Sequence, residues 1–187
     1  MKNSVKLLSL ILTFVVSAAF APRFGKLVSN TGHINFFSHT AAEDISSDNF
    51  KVTSTLDTET GEVVFSVPMQ SFEFEKALMQ KHFNSNNFLN TKKYPKAKFV
   101  GKISNVSAVN FDKDGVYEAN VEGNLTIKAV TNAFSNSGTV TIKGNEVSID
   151  TKFDVILKDF EIAFEEGKPS TNVAKVVEVT VKTIYKK

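Results

Sequence analysis

The chain has 187 residues, 42% of them hydrophobic, with 22 basic and 20 acidic side chains and no cysteine. This charge balance lacks the strongly basic footprint that nucleic acid or an anionic membrane surface selects. Without cysteine there are no disulfides, no thiolate metal site, no Cys nucleophile and no lipid-acceptor Cys.

Lys2 and Lys6, the apolar block 7–16 and the small residues Ser17, Ala18, Ala19 and Ala21 come first. That layout predicts a secretory signal peptide over residues 1–21, cut between residues 18 and 21. The apolar block is shorter than the roughly 20 residues of a bilayer-spanning helix, so export to the periplasm or beyond is expected, with no stable membrane insertion. Cleavage would remove two of the 22 basic residues and none of the 20 acidic ones, leaving a formally neutral chain. Residues 22–187 contain no linker-like or low-complexity stretch and are long enough for one domain with its own core.

Period-two alternation then predicts strands at Gly32–His39, Phe50–Asp57 and Glu62–Pro68, parted by turn signals such as Asp57-Thr-Glu-Thr-Gly61. A helix is predicted from about Phe72 to Phe83. Phe74 and Leu78 stand four apart, as do Met79 and Phe83, giving two adjacent apolar stripes with Lys76 and Gln80 on the far side. After Phe88, Leu89 and a Tyr94-Pro95 turn come further strands at Lys98–Ser107, Gly115–Lys128 and Thr139–Lys143. Val147, Ile149, Thr151, Phe153, Val155 and Leu157 mark a seventh, and Val177, Val179 and Val181 an eighth. Long, hairpin-connected strands of this kind predict an all-β fold: an eight-stranded antiparallel up-and-down barrel with one α-helix between strands 3 and 4.

A barrel of about eight strands is at the size where the interior is either just filled or just able to hold one small ligand. On the face assigned to the interior, Phe36, Phe50, Phe65, Phe99 and Phe153 share space with Gly101, Ala119 and Gly123. Interdigitation into a packed core and an apolar tunnel are both open at this point. Seventeen Phe with no Trp and three Tyr give a wall that offers few donors and suits a lipid-like guest better than a sugar or nucleotide. The candidate ligand-binding residues of lumen and mouth are Phe36, Phe65, Phe74, Met79, Phe83, Phe88, Leu89, Phe99, Ala119, Val121, Gly123, Phe153 and Val155. Phe74 and Leu78 would plug the barrel end, while Met79, Phe83, Phe88 and Leu89 suit an adaptable rim. Lys81, His82, Asn84 and Lys92 are nearby candidates for a headgroup.

An enzyme is not expected. His33, His39 and His82 lack short metal-ligand spacing, and six residues of strand put the first two about 20 Å apart. No Ser stands in a nucleophile motif, and the acid pairs Glu165-Glu166 and Asp154 with Asp159 read as solvated charge. No metal or other cofactor is implied.

Ser71-Phe-Glu-Phe-Glu75, Lys81-His-Phe-Asn84, Phe88-Leu89, Tyr94-Pro-Lys-Ala-Lys-Phe99 and Gly123-Asn-Leu-Thr-Ile127, in that order, resemble the signature run of the YceI-like proteins. The resemblance covers most of Gly32 to Tyr185 and is most specific from Phe72 to Gly101. It implies an exported, lipocalin-like barrel; some members hold a polyisoprenoid chain or an isoprenoid quinone in an elongated apolar pocket. This chain departs from the run at Ala129-Val130-Thr131, where a Gly usually precedes the Val-Thr pair, and so resembles a short, divergent member. The expectation is an exported monomer or weak homodimer that carries or stores an apolar, isoprenoid-like lipid without chemistry. The alternative is a filled barrel acting as a protein-interaction module through an exposed edge or the Glu165–Thr171 loop.

Overall fold

The computed structural model describes residues 25–162 and 173–187, and the backbone of 164–165 and 168–169. The expected signal peptide and its cleavage point lie outside the described residues, as does most of the Glu165–Thr171 loop. Eight long strands follow one another: β1 (Lys26–His39), β2 (Asp44–Asp57), β3 (Glu62–Pro68), β4 (Lys96–Ile103), β5 (Gly115–Ile127), β6 (Val130–Lys143), β7 (Glu146–Ile156) and β8 (Val176–Lys186). Each pairs antiparallel with the next, and β1 pairs with both β2 and β8, which closes an up-and-down barrel. Among the described residues the one α-helix, α1 (Ala77–Asn84), lies between β3 and β4, where the sequence predicts it. Closure gives each of the eight strands two neighbours, so none is an edge strand along its whole length, the usual reason for this architecture.

Two strands start six residues before their alternation becomes legible, and the cause is a break of phase in each. In β1, Asn30 and Thr31 both face outward between buried Ser29 and Gly32; in β2, Phe50 and Lys51 both face outward between buried Asn49 and Val52. The β1–β2 register shifts at these two places. An extra residue in one strand of an antiparallel pair reverses the face of everything beyond it. Phe50, expected inside, is therefore 54% exposed and stacks on His33 at 4.5 Å on the outer wall.

The helix also begins later than the stripes suggest. β3 pairs with β2 only from Thr53 to Leu56, which leaves the upper half of β2 without a partner on that side. Glu73 and Phe74 fill part of this gap as a two-residue strand against Asp48 and Ser47, with the Ser47 hydroxyl donating to the Glu73 carbonyl at 2.8 Å. Phe72 and Phe74 are consequently extended, and the Phe74–Leu78 stripe does not exist: Leu78 is 62% exposed and plugs nothing.

The interior holds two clusters. One fills the closed end with Leu27, Leu56, Val63, Ile103, Val140, Ile142, Val147 and Tyr185, capped by Val109 and Phe111 of the β4–β5 connection. The other lies toward α1 and includes Val67, Met69, Phe72, Phe83, Leu89, Leu157, Phe160 and Val177.

Candidate functional site

At the α1 end the inward faces of the strands do not meet. They enclose a cavity of about 710 Å³, lined by Ile34 and Phe36 of β1, Val67, Ala97 of β4, Leu125 and Ile127 of β5, Phe153 and Val155 of β7, and Val177 and Val179 of β8. Apolar side chains from six different strands, Val67 being that of β3, and from the roof thus converge on one space, as the alternation requires once the barrel closes.

Phenylalanines form much of the roof. Phe83, the buried residue of α1, has ring centroids of Phe36, Phe72, Phe74 and Phe88 at 5.7, 5.4, 5.0 and 6.2 Å. Phe36 stacks on Phe83 while the other three rings are tilted or edge-to-face, and pairs at such spacing are favourable beyond their buried area. A chain of polar contacts holds this roof on the barrel. The Phe74 amide donates to Gln80 Oε1 at 3.2 Å, Asn84 Nδ2 donates to the Gln80 carbonyl at 2.9 Å, and fully buried Thr91 donates to Asn84 Oδ1 at 2.6 Å. The Met69 amide donates to the Pro95 carbonyl at 2.9 Å, so the Tyr94-Pro95 turn anchors the returning chain. Among the lining residues the ionisable side chains are Glu43 and His82, joined by Ser85 and Asn87 from the segment after α1. Glu43 pairs with Lys76 at 2.9 Å, which ties the β1–β2 turn to the start of α1. Glu43 and its salt bridge hold this Lys76 ammonium above its ordinary pKa.

Phe36, Phe74, Met79, Phe83, Phe88, Leu89, Phe153 and Val155 all line this cavity. Phe65, Phe99, Ala119 and Val121 line instead a second space of about 90 Å³ deeper in the barrel, which Phe153 also borders. Gly123 lines neither. It lies opposite Gly101, and a Cβ there would stand 2.3 Å from the Val100 carbonyl oxygen; the position needs glycine for close backbone approach. Of the headgroup candidates, His82 reaches the cavity, Asn84 is spent on the roof, and Lys81 and Lys92 are exposed outside the lining. Sequence reasoning missed Phe72, Met69, Leu125 and Ile127, although Leu125 and Ile127 continue the alternation of Ala119 and Val121 and were legible from it.

One part of the wall is built differently. The β6–β7 ladder runs from Gly138–Thr151 to Lys143–Glu146, and the register pairs no residue of Val130–Ser137 with Lys152–Ile156. Side chains bridge this seam. Asn136 Nδ2 donates to Thr151 Oγ1 at 2.7 Å and to the Lys152 carbonyl at 3.0 Å, Asn132 Nδ2 to the Asp159 carbonyl at 2.7 Å, and Lys128 Nζ to the Glu161 carbonyl at 2.7 Å. Inside the seam, the Phe134 and Phe153 rings stand 4.7 Å apart and close it with apolar surface.

The closed end carries the few buried polar groups of the lower interior. Thr183 links Ser29 at 3.1 Å and Ser54 at 3.2 Å. Beside them, the Tyr185 phenol is fully buried, and burial pushes its pKa up to about 12 against a weaker pull from the Ser54 and Thr183 hydroxyls. Among the described residues no group of three or more His, Asp or Glu is placed to hold a metal ion, and no helix is long and apolar enough to cross a membrane.

Comparison with known proteins matches this architecture. The chain is 29% identical over 115 residues to Protein YceI of Escherichia coli O157:H7, and the match spans 58% of this chain and 56% of that protein. It therefore aligns with little more than half the length of this curated relative. Among solved structures, a polyisoprenoid binding domain from Saccharophagus degradans superposes with a TM-score of 0.71 at 10% identity, covering 87% of this chain and 98% of that one. BcnA of Burkholderia cenocepacia superposes with a TM-score of 0.68 at 18% identity, covering 82% and 95%. These likenesses show a shared fold. The model of the YceI-like domain matches residues 21–184, nearly the whole barrel including its helical roof, and the chain belongs to that family.

Proposed function

We propose that this protein is exported, through a signal peptide over residues 1–21, and binds an apolar, isoprenoid-like lipid in the barrel interior for transport or storage without chemistry. The observation that carries the reading is the cavity of about 710 Å³, whose walls are Phe, Val, Ile and Leu and whose ionisable residues, Glu43 and His82, come from the turn and helix at its roof. Burying a methylene contributes about 0.8 kcal/mol, so a dozen such groups gross roughly 10 kcal/mol before ordering costs, enough for micromolar binding with no strong polar contact. A filled interior, which the interaction-module alternative needs, fits this cavity poorly. The polyisoprenoid-binding description of the Saccharophagus domain adds support from a shared fold.

Native mass spectrometry of the protein purified from exporting cells without detergent, followed by organic extraction, tests this reading. A stoichiometric adduct released as a long-chain isoprenoid is the expected result. An apo mass that also takes up no added polyprenol or quinone would overturn it.

A further inference from the structure

The cavity has a floor made of side chains alone. Ile34, Val67, Ala97, Leu125 and Phe153 border both the large space and the deeper one of about 90 Å³, so no layer of backbone parts the two. Phe153 stands at the division. Phe134, which borders only the deeper space, supports it from below at 4.7 Å and rests in turn against Phe99 at 5.6 Å. Phe134 sits opposite Gly123, which has no side chain to hold Phe153 up in its place. Its strand segment also lacks ladder pairing on the β7 side, so local repacking there disturbs no ladder on that side.

We propose that Phe153, held in place by Phe134, sets the length of the apolar chain this cavity accepts. The inference rests on the carrier reading above. An apolar cavity of about 150 Å³ holds one benzene, about 25 Å³ per carbon; the 710 Å³ chamber then holds about 25 to 30 carbons, or five to six isoprene units. Removing the Phe134 ring frees about one benzene's worth of space. Joined to the 90 Å³ chamber, it admits about ten further carbons, or two isoprene units. Phe134 is a positioning residue here, since it touches Phe153 and not the chain.

The test is a detergent-free competition among prenyl alcohols of about 15 to 45 carbons, read by native mass spectrometry, on the wild type and on F134A and F153A. The wild type should load alcohols up to about 25 to 30 carbons and discriminate against longer ones. In both variants the limit should move up by about two isoprene units, with the ratio of 35- to 25-carbon occupancy rising at least about tenfold. F134L, which retains an apolar support, should fall between and serves where F134A does not fold by circular dichroism. Uptake by the wild type without any length limit, or folded variants that keep the wild-type limit, would overturn the role of the Phe134–Phe153 pair and leave the carrier reading standing. Failure of the wild type to bind any alcohol would overturn both.

Discussion

At the closed end of the barrel Leu56, Val63, Val140, Ile142 and Val147 are at most 2% exposed, whereas at the α1 end Phe36, Ile127, Phe153 and Val179 are only partly buried and face a cavity. Both sets belong to the same closed barrel and follow the same period-two pattern. What differs is the cap. The β4–β5 connection folds Val109 and Phe111 into the closed end and fills it, while α1 lays Phe83 across a ring of other phenylalanines and spans the opening. The strand pattern thus determines which side chains point inward, and the connections determine whether they meet.

Truncations should separate the two ends sharply. Leu56→Ala removes fully buried methyl groups from a packed site and should cost about 3 kcal/mol in urea unfolding. A loss below about 1 kcal/mol would mean the closed end is as loosely packed as the cavity.

Next in size is the pH response of Tyr185, which only the closed end carries. Its phenol titrates near pH 10 in the unfolded chain and at about 12 when folded, so the unfolded state releases its proton first as pH rises. Stability from this group is complete below pH 10 and is lost as pH rises through about 12, by roughly 2 kcal/mol. The stability difference between wild type and Tyr185→Phe should follow that loss, and a flat difference from pH 9 to 12 would refute a desolvated phenol.

At the α1 end, Lys128 and Ala129 make the β5–β6 turn with φ of 51° and 65°, a region that disfavours a Cβ. Ala129→Gly should therefore raise the thermal midpoint, by an amount corresponding to about 1 kcal/mol. The smallest stability effect belongs to the cavity itself: Met79→Ala should change unfolding by less than about 0.5 kcal/mol yet weaken polyprenol uptake severalfold, since Met79 lines space rather than filling it. Equal uptake by this variant would remove Met79 from the rim.

Most of the barrel was legible because a half-buried antiparallel strand writes its own alternation; β3 and β5 begin and end almost where that pattern says. The pattern fails wherever a tertiary event intervenes. Bulges at Asn30-Thr31 and Phe50-Lys51 turn the phase over, and a local reading carries Phe50 to the wrong face. The first nine residues of β6 escape notice because Asn132 and Asn136 occupy inward parity, which looks like a loop until the seam they bridge is seen. Phe72 and Phe74 read as helix because nothing in the local sequence reveals that β2 has backbone to pair there. The cavity depended on the same kind of non-local fact. The inward Phe residues could be named, but the empty volume between them follows from how far α1 stands above the strands.

The seam also sets where the barrel wall yields most easily. Most barrels fix their girth by continuous backbone ladders, but here the circumference beside the cavity is held by the amides of Asn132 and Asn136 and the ammonium of Lys128. Parting them costs a few side-chain hydrogen bonds, each worth about 1 kcal/mol net, and leaves the β6–β7 ladder from Gly138 onward intact. The wall is therefore held least firmly at this one place, and it parts there at less cost than along any continuous ladder, without unfolding the barrel. Amide hydrogens of Lys152–Ile156 that face the seam should accordingly exchange faster in the empty protein than in the loaded one, while those of Val140 and Ile142 keep pace with global unfolding.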